Sequence, residues 1–372
     1  MKFNRYTLSD LATIKYGKNQ KKVLSDSGTV PIFGTGGLMG FATTSLYDKP
    51  SVLIGRKGTI GKVKYVEQPF WTVDTLFYTI INTDLVIPKY LFYVMSLIDL
   101  NNYNEGTTIP SLRTETLNRL EFDIPDLEEQ RKILSCLNPI DEKIALNNAI
   151  NNNLEQQAEA IFQAILSNAV TTVNLGEIAD VKGGKRLPKG VNLIDIPNTH
   201  PYIRVRDLNN VLFASLTPDY AYVDEETQKS ISRYIVSTGD VLISIVGTIG
   251  LTAIVDSTLD KANLTENCVK VTNLKHITPE YLLLYLRSQL GREAITKGTV
   301  GAVQQKLPIK NIQAIPIPLL SEKDKNTLFC TLDSIFAEIS SNVIQSVKLS
   351  SLRDTLLPKL MSGELDVSDI DL

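Results

Sequence analysis

The side chains that could do chemistry in this sequence are cations and amides carried on glycine-rich loops. Gly58-Thr59-Ile60-Gly61 is flanked by Arg56, Lys57, Lys62 and Lys64. Glycines there let the backbone approach a phosphate, and the neighbouring cations would neutralise it. A second basic loop holds Lys18, Gln20, Lys21 and Lys22, and a third stretch offers Thr107, Thr108, Ser111 and Arg113. The same residue types return later as Lys182, Lys185, Arg186 and Lys189, then Arg204 and Arg206, then Thr299, Gln304, Gln305 and Lys306. These are the side chains that hydrogen-bond phosphates and base edges in DNA. Any one of them is more often an ordinary solvated side chain. Their recurrence in both halves of the chain is what points to DNA.

Other chemistries lack their residues. Gly34-Thr35-Gly36-Gly37-Leu38-Met39-Gly40 is neither G-x-G-x-x-G nor a Walker A, and reads as a tight turn between strands. His200 and His276 are the only histidines, and Cys136, Cys268 and Cys330 have no C-x-x-C spacing, so no metal site is expected. There is no G-x-S-x-G elbow, no H-E-x-x-H and no carboxylate pair placed for acid–base work. A catalytic residue or a bound cofactor in this chain is therefore not expected. Three distant cysteines exclude a disulfide scaffold and point to a reducing, cytoplasmic setting. No apolar run reaches 18 residues, so no membrane span is expected, and Met1-Lys2-Phe3-Asn4-Arg5-Tyr6 lacks a secretory h-region. Cys136 and Cys330, at the starts of two helical stretches, are expected to be buried small apolar residues.

The elements that must position these loops form a tandem repeat. Leu8-Ser9-Asp10-Leu11-Ala12 returns as Leu175-Gly176-Glu177-Ile178-Ala179, and Gly58-Thr59-Ile60-Gly61 as Gly247-Thr248-Ile249-Gly250. Pro88-Lys89-Tyr90-Leu91 returns as Pro279-Glu280-Tyr281-Leu282, and Gly106-Thr107 as Gly298-Thr299. The strand Phe122-Asp123-Ile124-Pro125 is matched with Ile315-Pro316-Ile317-Pro318. Charge alternates in step: net +3 over residues 1–125, −4 over 126–168, +2 over 169–320 and −4 over 321–372. With 372 residues, 43% of them apolar, the chain can bury two cores. Each copy reads as a mixed α+β globular part followed by a long helix.

The first helical stretch carries Ile133, Leu137, Ile140, Ile144, Asn147, Asn151, Leu154, Ala158, Ile161 and Ile165 at alternating spacings of 4 and 3. The second repeats it at a constant offset of 195: Leu328, Leu332, Ile335, Ile339, Asn342, Ser346, Leu349, Arg353, Leu356 and Leu360. This is the a/d seam of a coiled coil, and the polar steps coincide. Helices that each leave a similar domain are expected to pair antiparallel, with Asn147 facing Ser346 and Asn151 facing Asn342. At 1.5 Å per residue such helices would be roughly 50–60 Å long. Pro139 could restart or kink the first helix, and Pro358 could end the second early. The domains expected are 1–125 and 169–320, the spacer helices 126–168 and 321–362, and an acidic tail 363–372.

Taken together these residues resemble the specificity subunits of type I restriction–modification systems. The resemblance covers nearly the whole chain. It is carried by Leu8-Ser9-Asp10-Leu11-Ala12, the turn Pro31 to Phe41, Gly55-Arg56-Lys57-Gly58-Thr59-Ile60-Gly61, the junction Ile124-Pro125 with Glu129-Gln130 and Ile133, and the ending Leu356 to Leu365. The second junction departs, with Lys323 after Glu322 where the family has Gln. The resemblance implies two target recognition domains, each reading one half of a bipartite, asymmetric site in double-stranded DNA, with the helices setting the unread gap. It also implies partners: two methyltransferase subunits with S-adenosylmethionine, and restriction subunits that use ATP and Mg. A stand-alone DNA methyltransferase would need a cofactor glycine motif and an N-P-P-[FY] motif, which Asn138-Pro139-Ile140 does not supply. A pure coiled-coil scaffold would leave the basic loops unexplained.

Overall fold

The computed structural model describes residues 2–301 and 304–370, so the last two positions of the expected acidic tail lie outside the described residues. The chain divides into two compact units, Met1–Lys143 with Leu349–Leu372, and Ile144–Lys348. The division falls inside both long helices, Leu127–Leu166 and Glu322–Ser362.

The first unit holds an antiparallel sheet ordered Ala12–Tyr16, Leu76–Ile81, Ser51–Gly55, Val63–Val66. In the second unit the same order and polarity recur as Asp180–Gly183, Cys268–Thr272, Val241–Ser244, Thr252–Val255, with Phe213–Ala214 added in parallel at the edge. A small second sheet also recurs. Val30–Gly34 lies between antiparallel Gly37–Ala42 and parallel Trp71–Thr72, as Pro201–Ile203 lies between Ala221–Tyr222 and Asn263–Leu264. Helices Pro88–Ser96 and Pro279–Arg287 both begin with proline in the first turn, where its missing N–H costs nothing. The α+β repeat is thus present in topology as well as in sequence.

Each unit is closed by a strand pair, Phe3–Thr7 with Glu121–Pro125 and Thr171–Asn174 with Pro316–Leu319. Thr7 and Asn174 each cap the helix that follows through a capping box, which makes them equivalent. Thr7 pairs with Glu121 and Asn174 with Pro316, so the closing strands correspond at the helix offset of 195. This corrects the motif match by two residues, and makes Lys325, not Lys323, the counterpart of Gln130. The Gln130 amide accepts from the Ile87 N–H (2.8 Å) and donates to the carbonyls of Leu85 and Pro125 (both 2.9 Å). In the second unit the closing strand is held by the Tyr281 hydroxyl, which donates to the Pro318 carbonyl at 2.6 Å. Lys325 pairs with Glu322 at 3.1 Å instead, and Pro318 corresponds to Asp123, so the two closing strands are held at different carbonyls.

The long helices share a core with each domain. In the first unit Ile133, Leu134 and Leu137 pack with Leu357, Leu360 and Met361, and Ile140 is buried nearby. In the second, Ala158 and Phe162 pack with Leu328, Leu332, Phe336 and Ile339, flanked by half-buried Leu154, Ile161, Ile165 and Ile335. Ile144, Leu349 and Leu356 are half-buried. The helix portions run antiparallel in each unit. Asn147 Nδ2 lies 3.1 Å from Ser346 Oγ, 2.9 Å from Gln345 Oε1 and 3.3 Å from the Asn342 carbonyl, and Asn342 Nδ2 donates to Asn151 Oδ1 at 2.9 Å. Asn147 is fully buried, so its side-chain N–H groups depend on the pairing itself for partners.

Both prolines sit inside continuous helix. Neither restarts nor ends it. A helix-interior proline costs about 3 kcal/mol, and burying each of Leu357, Leu360 and Met361 beside Pro358 returns roughly 1.5–3 kcal/mol. Residues 363–370 fold back onto the first unit: Val367 is buried in its core, and Lys132 Nζ donates to the Ser368 carbonyl at 2.7 Å.

The expectation of two buried helix-start cysteines fails for Cys330, which is exposed, while Cys136 is half-buried. Leu328 and Leu332 face the core, so the intervening Cys330 turns away from it. Cys268 is fully buried, and burial pushes its thiol up to about 12. Iodoacetamide at pH 8 should therefore modify Cys330 and spare Cys268 until the chain is denatured, read by peptide mass spectrometry. Gly17 and Gly184 are also constrained, since a Cβ on either would lie 2.0 Å from a carbonyl oxygen, of Val73 or Thr265. Gly17→Ala should lower stability by about 1–3 kcal/mol, measured as a shift in the urea midpoint.

Candidate nucleic-acid interface

Four loops meet at one end of the main sheet in each unit, held by matching backbone hydrogen bonds. In the first unit the N–H groups of Gly17, Lys18, Arg56 and Leu112 donate to the carbonyls of Leu76, Thr72, Thr75 and Arg56, at 3.0, 2.8, 2.9 and 3.0 Å. In the second unit Gly184, Lys185, Ile245 and Leu307 donate to Cys268, Leu264, Asn267 and Ile245, at 3.0, 2.8, 2.8 and 3.0 Å. Gly58 and Gly247 both take φ near +80° (85° and 81°), the left-handed turn conformation that favours glycine.

The scaffold is the same and its side chains are not. Lys18 corresponds to Lys185, Arg56 to Ile245 and Lys57 to Val246. A bridge joins Lys57 to Ser111 in one unit and Val246 to Lys306 in the other. The cation before the Gly-Thr-Ile-Gly turn in the first copy is thus replaced by one across the bridge in the second.

In the first unit Lys18, Lys21, Lys22, Lys57, Lys62 and Thr107 are exposed. The ion pairs there are made by Arg5, Lys89, Arg113, Lys132, Arg353 and Lys359, so among the described residues these loop lysines are unpaired. The Arg56 guanidinium lies 4.9 Å from the centre of the Tyr16 ring and donates to the Asp74 carbonyl at 2.8 Å, which fixes its direction. Arg113 is tied to Glu105 at 3.1 Å. Lys64 stands apart from the loop: its ammonium lies 3.9 Å from the centre of the Phe33 ring, and burial lowers its pKa.

In the second unit Lys185, Lys189, Gln304, Gln305 and Lys306 are exposed on the loops. Lys182 pairs with Asp180 at 3.1 Å and Arg186 with Glu266 at 2.8 Å, which raises the arginine's pKa. Arg204 and Arg206 lie outside this group. Arg204 grips Asp207 at 3.0 Å and donates to the Asp219 carbonyl at 2.9 Å, which closes a local turn. Arg206 donates to the same carbonyl at 3.1 Å and borders a cavity of about 880 Å³ that also meets Asn151 and Ile339 of the long helices.

The structure adds apolar residues at the first unit's loop end that sequence reasoning passed over. Tyr16, Leu38, Met39 and Ile109 are all more than half exposed. By residue type they read as core, and only the glycine-rich turn before Leu38 signalled a projecting hairpin.

The sequence matches the family described as "Type I restriction modification DNA specificity domain" twice, over residues 2–156 and 168–349. The chain belongs to this family. It is similar to the type I restriction enzyme MjaIX specificity subunit of Methanocaldococcus jannaschii, at 23% identity over 87% of this chain and 80% of the relative. It is also similar to the HindI specificity subunit of Haemophilus influenzae, at 23% identity over 76% of this chain and 79% of the relative. In fold it is similar to the crystal structure of the type I restriction–modification S subunit from M. genitalium, with TM-score 0.59, 17% identity and coverage of 97% and 96%. Like other members of this specificity family, the chain is a DNA-recognition component without catalysis of its own. The duplicated loop scaffold is the family's domain, present twice.

The pairing pattern separates structural cations from free ones. Arg204→Ala should lower stability by about 1–3 kcal/mol by stranding Asp207 and the Asp219 carbonyl. Lys57→Ala and Lys189→Ala should stay within about 0.5 kcal/mol of the parent. Urea midpoints measured on the three variants test the distinction.

Proposed function

We propose that each unit reads one half of a bipartite, asymmetric target in double-stranded DNA. The observation that carries this reading is the loop scaffold built twice on identical backbone hydrogen bonds but furnished differently. Arg56 and Lys57 of one copy correspond to Ile245 and Val246 of the other, and Ser111 corresponds to Lys306. A palindrome would ask for equivalent side chains in equivalent places. Backbone contacts by Lys18, Lys21, Lys22, Lys57, Lys62, Lys185, Lys189 and Lys306 would hold the duplex. Arg56, Gln304 and Gln305 have the bidentate geometry that distinguishes bases.

The long helices set the unread gap between the half-sites and, with the recognition domains, receive two methyltransferase subunits. Restriction subunits join that core. S-adenosylmethionine and ATP with Mg belong to those partners, and this chain supplies sequence and register. The first helical segment, residues 126–168, carries a net −4, and the second is neutral over 321–362 with its −4 in residues 363–372. The acidic surface offered to partners therefore lies on the first helix and the tail, apart from the basic reading loops.

Co-expression with the neighbouring methyltransferase, followed by genome-wide mapping of methylated adenine, tests the proposal. A two-part motif with a fixed gap should appear only when this chain is present. Replacing Met1 to Pro125 with the matching domain of a relative should change one half of the motif and leave the other intact. Unchanged methylation with a folded, active partner would refute the reading.

A further inference from the structure

The first unit exposes a pair of large apolar side chains at a hairpin turn beside its cations, whereas the second unit's loop end sets a single one, Val300 (45% exposed), beside Lys306. Val30–Gly34 and Gly37–Ala42 form a hairpin whose strands close on the Gly34–Gly37 pair, so Thr35 and Gly36 make a two-residue turn. Leu38 and Met39 stand next to that turn and are 56% and 55% exposed. The hairpin's counterpart in the second unit, Ala221–Tyr222 against Pro201–Ile203, is buried.

The ladder shows where the hairpin tip sits. Val30–Gly34 runs parallel to Trp71–Thr72, and the Val73 N–H donates to the Phe33 carbonyl at 3.0 Å. The next residues, Asp74 and Thr75, accept from Arg56, while Thr72 accepts from the Lys18 N–H. The hairpin tip therefore lies at the same sheet end as Lys18, Arg56 and Lys57. Ile109, 60% exposed, joins them because the Gly58 N–H donates to the adjacent Pro110 carbonyl at 2.9 Å.

An exposed apolar pair costs solubility unless something covers it. Three cations around it fit the closely spaced phosphates of a duplex backbone. The major groove admits a two-stranded β-ribbon, and its one apolar mark is the C5-methyl group of thymine. We infer that the Leu38–Met39 hairpin tip of the first unit is a reading element that contacts thymine methyl groups in the major groove of its half-site. This rests on the DNA-reading role proposed above, and it names the residues and the base feature. The second unit, with Gln304 and Gln305 exposed at its loop end, reads by amide hydrogen bonds instead.

The test uses the full chain assembled with its methyltransferase, and duplexes carrying the motif found by methylation mapping. Each thymine of either strand is replaced in turn by deoxyuridine, which removes only the methyl group. Substitution in the first unit's half-site should weaken binding at one or more positions by about 4-fold, the effect of burying one methyl-sized group. Leu38→Ser with Met39→Ser should abolish that methyl dependence while leaving assembly and thermal stability intact. Deoxyuridine in the other half-site should affect parent and variant alike. Equal binding of thymine and deoxyuridine across the first half-site overturns the inference, as does a variant that keeps the methyl dependence or loses its methyltransferase. A complex that prefers no sequence at all overturns the parent reading as well, so the two failures are distinguishable.

Discussion

The mutual burial of the two long helices is the interaction on which the rest of the chain depends. Each carries a narrow apolar seam that water would not tolerate uncovered, and within both units each covers the other. The domains add to this by packing their own cores onto the same helices. The asparagine belt makes the pairing selective. Asn147 and Asn342 are almost wholly buried, and a slip of one heptad would leave their amides against apolar side chains without partners.

On that frame the reading loops can vary without disturbing the fold. The bonds that hold them are backbone to backbone, so the side chains are not needed for the loop's shape. Arg56 becoming Ile245, or Ser111 becoming Lys306, changes what the surface offers while the Gly17 and Gly184 approaches stay the same. Duplication followed by divergence of loop side chains is then a low-cost route to a new target. Fixed positions are those where a carbonyl leaves no room for a Cβ or where φ is positive.

Charge alone is a poor guide to which residues meet DNA. Arg204, Arg186 and Arg113 are as basic as Lys57, yet each is engaged by a nearby carboxylate. Their ion pairs stabilise loops. The free lysines and the exposed apolar tip are what the surface presents to a partner, and the tip would be invisible to any search for basic residues.

Much was legible in the sequence because periodicity and repetition are local properties. The ten-step seam, its two polar steps, the α+β repeat and the glycine turns follow from spacing, since a heptad can bury only one face and a positive φ favours glycine. Three things required the tertiary structure. The two-residue shift in the closing strand was hidden because alternating Ile and Pro match in either register, and only the pairing with Thr7 and Asn174 decides it. The separation of bound from free cations was hidden because spacing does not show which carboxylate a folded loop brings into reach: Glu266 lies 80 residues from Arg186, and Glu105 eight from Arg113. The exposure of Leu38, Met39 and Ile109 was hidden because an apolar side chain reads as core until the surrounding strands show that nothing covers it.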